Sequence, residues 1–127
     1  MKRKTYKGKR VSSSGPYSHV VDASDYLFFS GQTAYNNIHF KGKKYDIIKQ
    51  TQMCFKNLKD VMEVAGVNLE NVVKVNVYLT KMAYFEEMNN VYEEMFEEPY
   101  PARTCVAVYD LPLGADIEIE CIVKRAY

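Results

Sequence analysis

From Ile47 to Ala65 the apolar residues return every three or four positions, and from Val73 the spacing drops to two. That change of period constrains the fold more than any other feature of the chain. Ile47, Thr51, Cys54, Leu58, Val61 and Ala65 draw one stripe along a helix, widened by Ile48, Phe55 and Met62. Asp46 stands where an N-cap belongs and Gly66 where a helix stops, so the pattern predicts a helix of about five turns. In "NVVKVNVYLT" (71–80), Val73, Val75, Val77 and Leu79 take one face of a strand, and Lys74, Asn76, Tyr78 and Thr80 the other. A second helix follows, with Tyr84 or Phe85, Met88, Val91, Tyr92, Met95 and Phe96 inward and glutamates outward; Pro99 and Pro101 stop it. Strands over 103–110 and 117–124 come last, joined by a turn at "LPLGAD".

Ahead of the first helix, "VSSSGPYS" (11–18) reads as a loop, "YLFFSG" (26–31) as a buried strand ended by glycine, and "NNIHFKGKKYD" (36–46) as a polar turn region. The order is strands, helix, strand, helix, two strands. Two helices on one face of a mixed sheet bury both stripes at once, which predicts an α+β domain spanning residues 1–127. Tyr78, Ala107, Tyr109 and Ile122 are assigned to the other sheet face. A monomer would leave that face wet, so self-association is expected there.

Seventeen Lys and Arg stand against sixteen Asp and Glu, a net charge of +1, which argues against a protein devoted to electrostatic binding of nucleic acid. The charges are unevenly spread. "KRKTYKGKR" (2–10) holds six basic residues, and glutamates crowd residues 86–98. A basic arm can touch RNA or anionic lipid. An edge strand whose lysines discourage unwanted pairing accounts for the same residues, and the overall neutrality favours that simpler reading.

Cys54, Cys105 and Cys121 are odd in number and lack CxxC spacing, so they read as packed thiols in a reducing, cytoplasm-like compartment. No apolar run approaches a bilayer span and no secretory signal is recognisable. His19 and His39 lie in separate loops without a metal-ligand pattern, and "GKKYD" lacks the spacing of a phosphate loop, so neither metal nor other cofactor is expected. A nucleophile built from Cys105 and a histidine is outweighed by ordinary packing of a strand cysteine.

Two charged residues stand out. Arg103 begins a strand and shares a face with Cys105; it reads either as a solvated surface charge or as a fork for a small carboxylate. Glu118 and Glu120 alternate with Ile117, Ile119 and Cys121, so both project from one face of the last strand. By periodicity alone, Glu118 either meets solvent or a basic partner, or serves a site.

"GPYS" (15–18), "FFSGQ" (28–32), "QT" (50–51), the Leu-Thr-Lys-Met run into "FEEMNNVYEEMF", and "PARTCVAVYDLP…IEIE" together resemble the RidA family, also called the endoribonuclease L-PSP family. The resemblance runs in register from about residue 10 to 125. It implies a chorismate-mutase-like fold assembled as a homotrimer, with one site in each cleft between subunits. It also implies hydrolytic deamination of enamines and imines (2-aminoacrylate, 2-iminopropanoate, 2-iminobutanoate) to 2-oxo acids and ammonia, without a cofactor.

Carried over by residue, Arg103 would grip the substrate carboxylate, the backbone of Cys105 would place the nitrogen and a water, and Glu118 would hold or polarise that water. Tyr17, Ser30 and Gly31 would shape the pocket, with Asn89 supporting it from the second helix. After "SGQ" many family members continue with an Ile-Pro pair, where this chain has Thr33-Ala34-Tyr35; the change falls near the implied pocket and leaves the preferred size of substrate open. Competing readings are an RNA-binding protein or endoribonuclease that uses the basic arm, and a chaperone-like or regulatory binder that uses the inter-subunit cleft without turnover.

Overall fold

A computed structural model describes residues 2–126. Six strands and two helices form two layers: β1 (Lys4–Tyr6), β2 (Val20–Asp22), β3 (Tyr26–Gln32), α1 (Ile47–Ala65), β4 (Val72–Leu79), α2 (Phe85–Met95), β5 (Ala102–Ala107) and β6 (Ile117–Lys124). The sheet order is β1-β2-β3-β6-β4-β5. Every neighbouring pair is antiparallel except β4 and β5, which are parallel and joined through the α2 crossover.

The two periods explain the layers. Asp46 caps α1 by accepting from the Lys49 N–H at 2.9 Å. Gly66 ends it at φ 76°, a left-handed turn that a side chain would strain. The stripes of α1 and α2 press Phe55, Leu58, Val61, Met62, Met88 and Val91 onto Leu27, Phe29, Val75, Val77, Ile117 and Ile119 of the sheet, all essentially buried. The described residues bear out the two-layer α+β expectation.

Several local readings need correction. A register shift between Val72 and Lys74 turns Val73 outward (40% exposed) and puts Val72 into the core in its place. The strand expected over 103–110 ends at Ala107. Ala107 pairs with buried Leu79 and so belongs to the helix-facing side, while Tyr109 lies beyond the strand in full solvent. The open face instead carries Thr104 and Val106 of β5 beside Tyr78 and Ile122, together with exposed Tyr26 and Phe28. The "polar turn" is partly interior: Asn36 and Asn37 are buried within two short 3-10 turns, and Asn37 Nδ2 donates to Asn57 Oδ1 at 3.2 Å.

The basic segment does form an edge strand, β1. Downstream of it the chain is held to the body. Gly8 N–H donates to His19 Nδ1 at 3.0 Å, and Arg10 pairs with Asp60 at 3.1 Å.

Candidate active site

On the open face, the final strand presents Glu118 and Glu120 two residues apart and half-buried. Opposite them on β3, a bulge occupies Ser30–Gly31: Phe29 pairs with Cys121 and Gln32 with Ile119, so two residues face one. The bulge makes room for Glu118. A Cβ on Gly31 would lie 2.9 Å from Glu118 Cδ and 3.2 Å from Oε1, so the carboxylate rests directly on the Gly31 backbone. Ser30 is fixed by donating Oγ–H to Ser18 O at 2.6 Å.

Gly31→Ala is therefore expected to keep the fold, because the obstructed atoms end a flexible side chain, while swinging Glu118 out of place. A melting curve within a few degrees of wild type, alongside a loss of activity close to that of a Glu118 variant, would check this. Loss of the fold itself would contradict it.

The loop before β2 closes this recess of about 270 Å³, which is lined by Ser14, Tyr17, Ser30, Gly31, Asn36, Pro112, Glu118 and Glu120. The Tyr17 oxygen accepts from Asn36 Nδ2 at 3.4 Å and from Ser14 N–H at 3.5 Å, leaving its own proton to donate. Glu118 makes no hydrogen bond or ion pair with the described residues. Burial first, and then the negative charge of Glu120, push its carboxyl above the usual glutamate range.

The second group lies on the other side of the sheet. Arg103 pairs in register with buried Val75, so its side chain runs under α2. Phe85, Asn89 and Tyr92 recur at helical spacing on α2 and receive it. The guanidinium carbon sits 4.7 Å from the Tyr92 ring centre and 5.5 Å from that of Phe85, and Nη1 donates to Asn89 Oδ1 at 2.7 Å. No carboxylate of the described residues pairs with this guanidinium. It opens into a recess of about 480 Å³ lined by Asn89, Tyr92, Glu93, Tyr100, Pro101 and Arg103. The arrangement is a fixed planar fork with free donors.

Cys105 lies between these groups in chemistry but not in space. Its thiol is pushed up by burial, only partly offset by Arg103, so it is not a ready nucleophile. Its backbone is more useful. Val108 N–H donates to Leu79 O at 2.7 Å, and backbone groups alternate sides along a strand. Arg103, Cys105 and Ala107 therefore direct N–H and C=O to the unpaired edge of β5.

The sequence-derived residues thus fall into two sets. Tyr17, Ser30, Gly31 and Glu118 converge on the open face; Arg103 and Asn89 converge under α2; Cys105 marks the edge nearest the second set. Neither recess holds all of them. Thr33, Ala34 and Tyr35 do not themselves line the open-face recess. Ala34 and Tyr35 pack with Met53 and Ala115 in a separate cluster, and Tyr35 stacks on Tyr45. Thr33 and Asn36 form a reciprocal cap, which fixes Asn36 at the recess wall.

Asn36, Tyr92, Phe85 and Tyr100 were not expected at a site. Tyr92 reads from its period as plain core, and only the register between α2 and β5 reveals that it carries Arg103. Asn36 was hidden inside an apparent turn.

A family model described as endoribonuclease L-PSP matches residues 7–125. Protein mmf2, mitochondrial, of Schizosaccharomyces pombe is 43% identical over 119 residues, covering 91% of this chain and 93% of its own. A 2-iminobutanoate/2-iminopropanoate deaminase of Dermatophagoides farinae is 38% identical over 109 residues, covering 86% and 85%. The crystal structure of a putative endoribonuclease from Thermotoga maritima superimposes with a TM-score of 0.90 at 37% identity over 100% of both chains. The chain belongs to the endoribonuclease L-PSP (RidA) family.

Proposed function

We propose that this protein hydrolyses reactive enamines and imines of the 2-aminoacrylate and 2-iminopropanoate type to 2-oxo acids and ammonia, at a site completed by a second copy of the chain. One observation carries the reading: an unpaired carboxylate fork and an unpaired, recessed carboxyl lie on opposite faces of one subunit. A small imino acid needs both. A neighbouring copy that lays its β5 edge across the open face brings Arg103 and Glu118 into one cleft and covers Tyr26, Phe28 and Val106. The family resemblance supports a trimer with three equivalent clefts as that assembly.

In such a cleft Arg103 binds the substrate carboxylate two-pronged, held flat by Tyr92 and Asn89. The exposed backbone of Cys105 orients the nitrogen. Glu118 places a water against the imine carbon, and Tyr17 donates to it. Water adds its oxygen to the C=N carbon while Glu118 relays the proton to nitrogen. The resulting carbinolamine passes its hydroxyl proton to nitrogen, the C–N bond breaks, and ammonia leaves the 2-oxo acid. The imine is already electrophilic, so orientation and a proton relay supply most of what is needed.

Among the described residues no helix is long and apolar enough to cross a membrane. Free thiols at Cys54, Cys105 and Cys121 suit a reducing compartment, cytoplasm or the mitochondrion named for the fission-yeast relative.

The test is interception. A serine or threonine dehydratase generates 2-aminoacrylate, and semicarbazide traps the derived imine. Addition of the protein is expected to suppress semicarbazone formation in proportion to its concentration; undiminished semicarbazone at stoichiometric protein would overturn the reading.

A ribonuclease reading draws on the basic segment and on the endoribonuclease description that the family carries. With Gly8 and Arg10 tied to His19 and Asp60 and Lys4 within 4.0 Å of Asp22, the cations left to contact RNA include Lys2, Arg3, Lys7 and Lys9. RNA cleavage that falls steeply with salt and disappears when these are neutralised would favour it.

A further inference from the structure

The open-face recess holds two carboxyl groups, and the reaction sketched above employs only one. Glu120 is not idle. Asn76, directly opposite Glu120 on β4, donates Nδ2 to Glu120 Oε1 at 3.2 Å, and the Tyr78 hydroxyl, from its register position opposite Glu118, reaches diagonally to donate to the same oxygen. Tyr78 remains a donor throughout the working range, since its hydrogen bond to Glu120 and then burial push its phenol up to about 12. Glu118 stands two residues before Glu120, on the same face, with no donor from the described residues. Along a strand that spacing is roughly 7 Å between backbone positions.

Two negative charges in a half-buried recess repel, and donors decide which group bears its charge more easily. We propose that Glu120 is a positioning residue: fixed by Tyr78 and Asn76, it holds the negative charge of the pair and leaves the recess's proton on Glu118. This rests on the deaminase reading for its consequence. Glu118 would begin the cycle as an acid, giving its proton to the imine nitrogen, and would take the proton of the attacking water as the C–O bond forms. Total charge and protons are conserved between the two steps.

The surroundings permit this. From β3, the loop before β2 and the 3-10 turn that follows β3, the recess meets only neutral side chains: Ser14, Tyr17, Ser30 and Asn36. From β4 it meets Asn76 and Tyr78. Lys74, on the same face, donates its ammonium to Thr104 Oγ1 at 2.8 Å, toward β5. Lys124 lies farther along β6, opposite Tyr26. Asp116, the preceding carboxylate, is taken up by Thr80 and Gln50. The cation that the proposed assembly brings to the recess is Arg103 of a second copy, and a bound 2-oxo acid would occupy it.

The experiment is a carboxyl titration of the assembled protein by carbon-13 NMR, free and with 2-oxobutanoate, in wild type, Glu120→Gln and Tyr78→Phe. In wild type, Glu118 is expected to carry the higher midpoint of the pair. Glu120→Gln should lower that midpoint by about one pH unit, the scale of a nearby like charge. Tyr78→Phe, the gentler change, should divide the higher midpoint between both carboxyl signals.

Where turnover is present, the alkaline-side limb of the kcat/KM profile, along which Glu118 loses the proton it must donate, should move with the Glu118 signal in Glu120→Gln. A midpoint for Glu118 unmoved by both substitutions, or a wild-type proton residing on Glu120, would overturn the proposal. Titration shifts as described with no turnover in any form would sink the deaminase reading and leave the proton assignment standing.

Discussion

Replacing Arg103 by alanine is expected to lower kcat/KM for 2-iminopropanoate several hundred-fold while leaving the assembly intact. Charge-assisted hydrogen bonds contribute about 1.5–3 kcal/mol each, so losing a two-pronged carboxylate grip at the lower end of that range, suited to a half-exposed edge, removes roughly 3–4 kcal/mol of transition-state binding. The stacking on Tyr92 and Phe85 is lost as well, which costs about 1 kcal/mol of stability at a half-exposed edge. Arg103→Lys separates charge from shape. It keeps a cation under α2 but cannot form the planar fork or reach Asn89 in the same way, so intermediate activity is expected. Equal activity of wild type and Arg103→Ala in the interception assay would remove Arg103 from the site.

Glu118→Gln tests the other half, and here activity and stability are expected to move in opposite directions. Loss of a positioned acid–base group lowers rates by about 100- to 10,000-fold. Stability follows from the direction of the carboxyl's shift. Burial, and then Glu120, disfavour its charged form, so the folded protein holds this proton more tightly than the unfolded chain does. That group's contribution to stability consequently falls as pH rises from the ordinary glutamate range through the raised one. Glutamine carries no such charge. Glu118→Gln should be at least as stable as wild type at neutral pH, with the difference vanishing in acid. A variant that is both active and destabilised at neutral pH would contradict both parts.

The helices were legible because their signals are local. Asp46, the stripe through Leu58 and Val61, and Gly66 specify α1 without reference to any other element. The last strand was equally plain, since Ile117, Ile119 and Cys121 alternate with Glu118 and Glu120. Bulges were not legible. The pattern of valines from Val72 to Val77 reads the same with or without a register shift, and only pairing with β6 decides that Val73 faces out. The bulge at Ser30–Gly31 was hidden in the same way, although glycine there was singled out by resemblance.

The site was legible as a set of residues and illegible as an arrangement. Arg103 and Glu118 each carry a sequence signal, but whether they share a cleft depends on which sheet face each takes and on what covers that face. Thr33-Ala34-Tyr35 was equally illegible as an arrangement. The segment follows "SGQ" directly, yet the chain turns inward after Gln32, packs Ala34 and Tyr35 with Met53, and leaves Thr33 to cap Asn36 at the recess wall.

The claim that the site is shared between copies is tested most directly by mixing two inactive chains. Arg103→Ala and Glu118→Gln, unfolded together and reassembled, should regain activity, because an Arg103 from one chain meets a Glu118 from the other. With random mixing in a closed cyclic assembly, about a quarter of the clefts would be intact. Recovery on that scale is the predicted result. Mixed assemblies that form, as mass measurement would show, yet stay as inactive as either variant alone would contradict a shared site.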